Sequence, residues 1–189
     1  MIDLMDELLF TLKKCNTSYK LFLLKYLVLN INDEKSDFDF DELCKGMLVE
    51  SWEYIETKAS KFTKNDKLLA LAREVCEASQ GELSFYSSKT EVERYLKKDN
   101  GEVIRMIRPL CRYAPYRLDI NEQLDEFLRN KLDSEKNGII QEMSHKYDLF
   151  YEIWDKRITI NRNYLLFIKN NRNKILDVIN GEVERRYLK

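Results

Sequence analysis

The stretch that most constrains the fold covers residues 19–30 and reads YKLFLLKYLVLN. Wound as a helix, it is apolar around most of its circumference rather than along one stripe. A helix of this kind is normally buried in the centre of a domain, because it has no polar face to leave in water. The sequence therefore predicts a central helix with several other elements packed around it.

Most other segments show the three- and four-residue spacing of amphipathic helices. They are residues 2–14, 39–58, 64–79, 90–97, 102–113, 120–132 and 161–188. Asp39 with Glu42, and Thr90 with Glu93, have the spacing of helix-starting capping pairs. Breaks are predicted at Gly81, at Pro109 and Pro115, at residues 137–138 and at residues 180–181, because glycine and proline interrupt or end helices.

Two stretches do not follow this spacing. Residues 30–39 read as an acidic loop. In residues 147–160, β-branched and aromatic side chains alternate on either side of a polar centre at Asp155 and Lys156, which favours a small β-hairpin, with a helix as the alternative. The predicted fold is mainly α, a compact multi-helix domain with this hairpin near residues 147–160.

The composition supports one folded domain over residues 1–189, with residues 1–118 as a helical core and 119–189 as C-terminal helices plus hairpin. The chain is 44% hydrophobic with only five Gly and two Pro, which is typical of a folded helical protein. Its longest apolar run is interrupted by Lys25 and its N-terminus lacks a signal sequence, so we expect a cytoplasmic protein without membrane contact. Four widely spaced cysteines predict free, buried thiols.

The charge is unevenly distributed along the chain. Residues 1–60 carry twelve Asp or Glu and seven Lys or Arg, whereas residues 105–117 and 156–174 contain basic residues and no acid. If these two segments meet, they form a basic patch suited to DNA or RNA. The candidate nucleic-acid-binding residues are Arg105, Arg108, Arg112, Arg117, Lys156, Arg157, Arg162, Lys169, Arg172 and Lys174, with asparagines at 161, 163, 170, 171 and 173 as neighbours for sugar or base contacts.

An ordinary solvated face explains the same pattern and is the stronger expectation, because the net charge of the chain is only −1. Pairing of these cations with the acidic N-terminal half would also use up the patch internally. The sequence alone leaves these alternatives open.

No complete catalytic motif is found in the sequence. His145 is the single histidine, which excludes a two-histidine metal site within the chain, and it is expected at the surface or at a helix end. Asp37, Asp39 and Asp41 are interpreted as helix-capping and solvent-exposed surface residues rather than as ligands of a cation. The aromatic side chains at 147, 150, 151 and 154 are expected to pack rather than to stack on bases. We therefore expect no catalytic residue, metal or cofactor in this chain.

Three segments together resemble a known family: TSYKLFLLKYLVLNI, APYRL, and LFYEIWDKRITINRNYLLFIKNNRNKIL followed by YLK. Their order resembles the N-terminal helical region of bacterial HNH-endonuclease-like proteins, in which a C-terminal nuclease module follows. The resemblance implies that the catalytic and metal-binding histidines would lie beyond Lys189. It also implies an accessory or targeting domain of a nuclease system, in some cases one acting in phage defence.

Two functions are consistent with these observations. One is a non-catalytic domain that positions nucleic acid or a nuclease module. The other is a protein-interaction or homo-oligomeric assembly module, in which the acidic half of the chain meets a basic surface of a partner or of another copy.

Overall fold

The computed structural model of the chain describes residues 4, 6, 12, 17–58, 61–63, 66–98, 101–118, 127–147 and 149–187. These residues form a mainly helical fold with a small antiparallel sheet, as the sequence predicts. In chain order the elements are α1 Ser18–Asn30, β1 Asp37–Asp39, α2 Phe40–Lys58, α3 Lys67–Ala78, α4 Lys89–Lys97, α5 Gly101–Cys111, α6 Ala114–Arg117, α7 Asp133–Lys146, β2 Tyr151–Trp154, β3 Arg157–Ile160 and α8 Arg162–Tyr187. Residues 2–14 and 120–132, predicted to be helical, lie largely outside the described residues.

Helix α1 is the central helix that its all-round hydrophobicity predicts. Leu21, Phe22, Leu24 and Leu27 are completely buried. Helices α2, α3, α6 and α8 all pack against it. Burial of apolar surface is the dominant favourable contribution to folding and stabilises the fold by about 25 cal/mol per Å². This helix therefore organises the core.

The predicted β-hairpin is confirmed. Strands β2 and β3 pair antiparallel, and the two-residue turn between them places Asp155 and Lys156 at φ of 25° and 64°. Positive φ at both central residues is the geometry that matches the twist of a two-residue hairpin.

The first strand was not predicted from the sequence. The sequence predicts a loop at residues 37–39, but these residues pair with β3 and complete a sheet of order β1-β3-β2. Phe38 is buried opposite Ile158, between the exposed Asp37 and Asp39. A three-residue strand whose partner lies 120 positions later carries too little local pattern to be recognised.

Helix starts follow local capping chemistry. Asp39 caps α2, since its Oδ1 accepts a hydrogen bond from the backbone N–H of Glu42 at 2.7 Å. For α4 the predicted cap, Thr90, is wrong: Ser88 is the N-cap, in a reciprocal capping box with Glu91. Both residue pairs have the same spacing, so only the backbone path distinguishes them.

Two predicted breaks are absent, since α7 runs through residues 137–138 and α8 runs through residues 180–181. Pro109 lies inside α5, which ends two residues later at Cys111. In α8, burial of Ile179, Val183 and Tyr187 on either side of the glycine outweighs its cost of about 1 kcal/mol. In α7, Asn137 donates to the backbone carbonyl of Arg112 at 2.7 Å and anchors the helix.

None of the helices within the described ranges has the length and hydrophobicity required to cross a membrane. Their buried side chains form one contiguous apolar core.

Candidate nucleic-acid interface

The structure separates the ten predicted binding residues into three places. Arg105, Arg108, Arg112 and Arg117 lie on or beside α5 and α6, Lys156 and Arg157 lie at the hairpin turn, and Arg162, Lys169, Arg172 and Lys174 lie on α8. Helix α8 packs mainly on α1, whereas α5 packs on α2 and α3. The two acid-free segments are therefore held by different parts of the core.

Of these three groups of residues, the one on α8 lines a cleft with a marked excess of basic over acidic side chains. We define the α8 cleft as the depression of about 530 Å³ between α8 and the loop after α1. It is lined by Asn32, Asp33, Lys169, Asn170, Asn171, Arg172, Asn173 and Lys174. Three cations, four amides and a single acid make this a cation-rich polar surface.

The position of the cleft follows from the amphipathic spacing of α8. Ile168, Ile175 and Ile179 are buried against the core, which turns Asn170, Asn173 and Lys174 outward. Arg162 is also exposed, twelve residues before Lys174. At 1.5 Å per residue, these two cations are about 18 Å apart along the helix axis.

Some side chains of the cleft, and Asn161 just before α8, already have partners within the chain. Lys169 forms an ion pair with Asp33, and Arg172 donates to the backbone carbonyl of Ile31. The amide of Asn171 donates to Phe167 at 2.9 Å, and that of Asn161 donates to Leu149 at 2.5 Å. The sequence expectation of internal pairing is therefore met in part, and Arg162 and Lys174 are the most available cations of α8.

Arg172 also contributes a buried donor. Its Nε is out of solvent and makes no hydrogen bond to any part of the chain that the structure describes. A buried unpaired donor costs on the order of 1–3 kcal/mol. A ligand oxygen that reached this atom would recover part of that cost.

The arginines of α5 form a second basic surface. Arg105, Arg108 and Arg112 are exposed, and Arg105 lies 3.8 Å from Glu102 one helical turn away. Arg117 differs from them, because both terminal guanidinium nitrogens are buried without a hydrogen-bond partner among the described residues. It does not share the exposed surface of the other three.

The hairpin residues line a larger cavity, which we call the central groove. It has a volume of about 930 Å³ and lies between α1, α2, α4, α5 and the hairpin turn. Six of its lining residues are basic and six are acidic. Lys156 and Arg157 therefore sit among carboxylates, which oppose the binding of a phosphate backbone.

Buried ion pairs neutralise the wall of this groove. Glu50, only 8% exposed, lies 2.6 Å from Lys89 and 4.0 Å from Lys25. Burial lowers the pKa of Lys25, while the neighbouring Glu50 charge acts in the opposite direction. Tyr26 donates to Glu42 at 2.9 Å, and burial followed by the charge of Glu42 raises its pKa.

His145 has the helix-end position expected of it. It lies in the last turn of α7, 4.0 Å between ring centroids from Trp154 and 3.8 Å from a carboxylate oxygen of Glu152. Phe150 and Tyr151 are buried as predicted, whereas Tyr147 and Trp154 are exposed. Across the described ranges no three potential metal ligands cluster.

Sequence reasoning missed Asn32 and Asp33, which form one wall of the α8 cleft. The sequence predicts an acidic loop there, and nothing in the local sequence of these two residues indicates that α8 lies beside them.

Comparison of the chain with protein-family models, curated proteins and solved structures finds no match.

Proposed function

We propose that this chain is a non-catalytic accessory domain that binds DNA or RNA through the α8 cleft. The observation that supports the proposal is the lining of the cleft, in which three cations and four amides accompany one acid that is already paired. Lys and Arg neutralise phosphates, and asparagine amides hydrogen-bond to phosphate, sugar or base edges.

The geometry fits an extended strand. The available cations at Arg162 and Lys174 lie about 18 Å apart along the helix, with exposed Asn170 and Asn173 between them. A helix surface of this length faces several consecutive phosphates.

The resemblance to the region preceding an HNH nuclease module supports a more specific role. In this proposal the domain positions nucleic acid for an associated nuclease module, within a system of the phage-defence type. The chain itself contributes binding and no catalytic residue.

Fluorescence anisotropy with short labelled single- and double-stranded DNA and RNA tests the binding, using the chain, an Arg162→Glu/Lys174→Glu variant and a control. The control, Arg73→Glu/Arg94→Glu, changes the net charge equally at exposed positions of α3 and α4. We expect the Arg162→Glu/Lys174→Glu variant to bind at least tenfold more weakly and to lower the slope of log K against log salt by about 2.

The control should change affinity much less. Equal losses in the two variants would show that only net charge matters and would contradict the α8 cleft as the binding surface. Absence of salt-dependent binding by the unmodified chain would contradict the proposed function as a whole.

A protein-interaction module is the second candidate, favoured by one surface. Trp154 and Tyr147 are 53% and 57% exposed near His145. The outer edge of β2 is covered, since the N–H of Ile153 donates to Ser144 at 3.0 Å. A partner would therefore pack on the aromatic side chains, and sedimentation of the chain with and without Trp154→Ala tests self-association through them.

A further inference from the structure

Two cysteines from distant parts of the chain meet between α2 and α5. Cys44 lies in the first half of α2 and Cys111 is the last residue of α5, 67 positions later. Their Sγ atoms are 2.9 Å apart. Both thiols are free, as is Cys76, which has no such neighbour among the described residues.

The two thiols have different access to solvent. Cys44 is completely buried, whereas Cys111 is partly exposed, with its Sγ 3.6 Å from Oδ1 of the exposed Asp41. Burial raises the pKa of the Cys44 thiol. A small oxidant therefore reaches Cys111 first, with Cys44 behind it.

We propose that Cys44 and Cys111 form a dithiol site that a peroxide converts into an intramolecular disulfide. The Cys111 thiolate attacks one oxygen of hydrogen peroxide, the O–O bond breaks, and a sulfenic acid and water are produced after protonation. The Cys44 sulfur then attacks the Cys111 sulfur, the S–O bond breaks, and a second water leaves. In total, the two thiols lose two electrons and two protons to one peroxide, which becomes two waters.

The geometry favours this resolving step over further oxidation. A resolving thiol next to the first one traps the sulfenic acid before it reacts with more peroxide. A disulfide bond is about 2.05 Å long, so the sulfurs must approach by less than 1 Å. Since the two cysteines stand on different helices, the bond would fasten α5, which carries Arg105 and Arg108, to α2.

Peptide mapping tests the proposal directly. The chain is treated with equimolar hydrogen peroxide, its remaining thiols are alkylated, and it is digested with trypsin. Trypsin does not cut before Pro109, so Cys111 is released in residues 106–112 and Cys44 in residues 36–45. We expect these two peptides joined and two hydrogens lighter than their sum.

Thermal unfolding with and without reductant provides the second readout. The bond would close a loop of 67 positions, which should raise Tm by about 10 °C in the oxidised chain. Cys76→Ser should retain the joined peptide and the Tm difference, whereas Cys111→Ser should lose both.

The proposal is overturned if Cys111 is recovered singly alkylated or as sulfinic acid, without the joined peptide. It is equally overturned if Cys111→Ser keeps the full Tm difference between oxidised and reduced protein. Neither result depends on nucleic-acid binding.

Discussion

The α8 cleft and the central groove are both lined by charged side chains but differ in the balance of charge and in their amide content. In the groove, six bases face six acids, and Glu50 is buried between Lys89 and Lys25. In the cleft, three cations accompany one acid, and Asn170 and Asn173 are exposed to solvent. The groove balances its positive and negative charges, whereas the cleft has an excess of positive charge and exposes Lys174.

This difference shows that the availability of a cation for a ligand depends on what surrounds it in space. Lys156 and Arg157 belong to the same acid-free segment as Lys174, yet the fold places Asp39, Asp41 and Asp155 around them. Counting charge along the chain groups these residues together. The tertiary structure separates them into the mixed-charge central groove and the cation-rich α8 cleft.

The largest expected effect tests how tightly the groove wall is packed. A methyl group on Gly46 would overlap the ring of Tyr26, so Gly46→Ala should lower the free energy of unfolding by about 2–3 kcal/mol, as overpacking does. Chemical denaturation measures the change.

Gly138→Ala is the matched control. Gly138 is exposed within α7 and its added methyl group meets nothing within 4 Å. Alanine should raise the free energy of unfolding by about 0.5–1 kcal/mol at such a position. Equal effects of the two substitutions would contradict close packing of the groove wall.

Removing the buried acid tests the internal neutralisation of the groove. Glu50→Ala leaves Lys25 and Lys89 without their shared partner, and Lys25 is only 13% exposed. We expect a loss of about 2 kcal/mol, which is below the range for fully buried pairs because Lys89 is 40% exposed. The exposed pair of Glu93 with Lys97 is the control, and Glu93→Gln should cost about 0.3 kcal/mol.

Alkaline pH should lower the free energy of unfolding through Tyr26, which lines the central groove. The pKa of Tyr26 is raised above its ordinary 10.0 in the folded chain, so its contribution to stability is full below pH 10 and is lost as pH rises further. Tyr26→Phe should make the decline of unfolding free energy above pH 10 shallower by up to about 1 kcal/mol per pH unit, the limit for one proton being about 1.4.

Urea unfolding at several pH values between 9 and 11 measures this slope. Contributions from other groups, including Lys25, are common to both proteins and cancel in the comparison. Tyr86→Phe, at a position that is 85% exposed, is the control and should leave the slope unchanged. An unchanged slope in Tyr26→Phe would contradict a shifted phenol in the groove.

The smallest expected effect concerns the cleft. Asp33→Asn removes the one acid and releases Lys169, which should increase nucleic-acid affinity severalfold and steepen the salt slope by about 1. Stability should change by less than about 1 kcal/mol, because Asp33 is 82% exposed. Anisotropy titration at two salt concentrations measures it, and weaker binding would show that Asp33 takes part in the contact.

Local sequence predicts the elements that local interactions determine. The hydrophobicity of α1 predicts its central position, and the alternation around Asp155 and Lys156 predicts the hairpin. Asp39 is recognisable as a cap because its hydrogen-bond partner, Glu42, lies three residues away. The prediction at residues 180–181 fails because burial of neighbouring side chains outweighs a glycine's preference, and the one at residues 137–138 fails where Asn137 is anchored to the backbone of Arg112.

The sequence by itself determined a mainly helical fold with a central helix, a hairpin and an acid-free basic segment near the C-terminus. Only the tertiary structure decided that β1 joins the sheet, that Asp33 faces Lys169, and that Cys44 meets Cys111. The physical reason is the range of the interactions. Helix periodicity and capping act over three or four residues, whereas these three contacts join residues 67 or more positions apart.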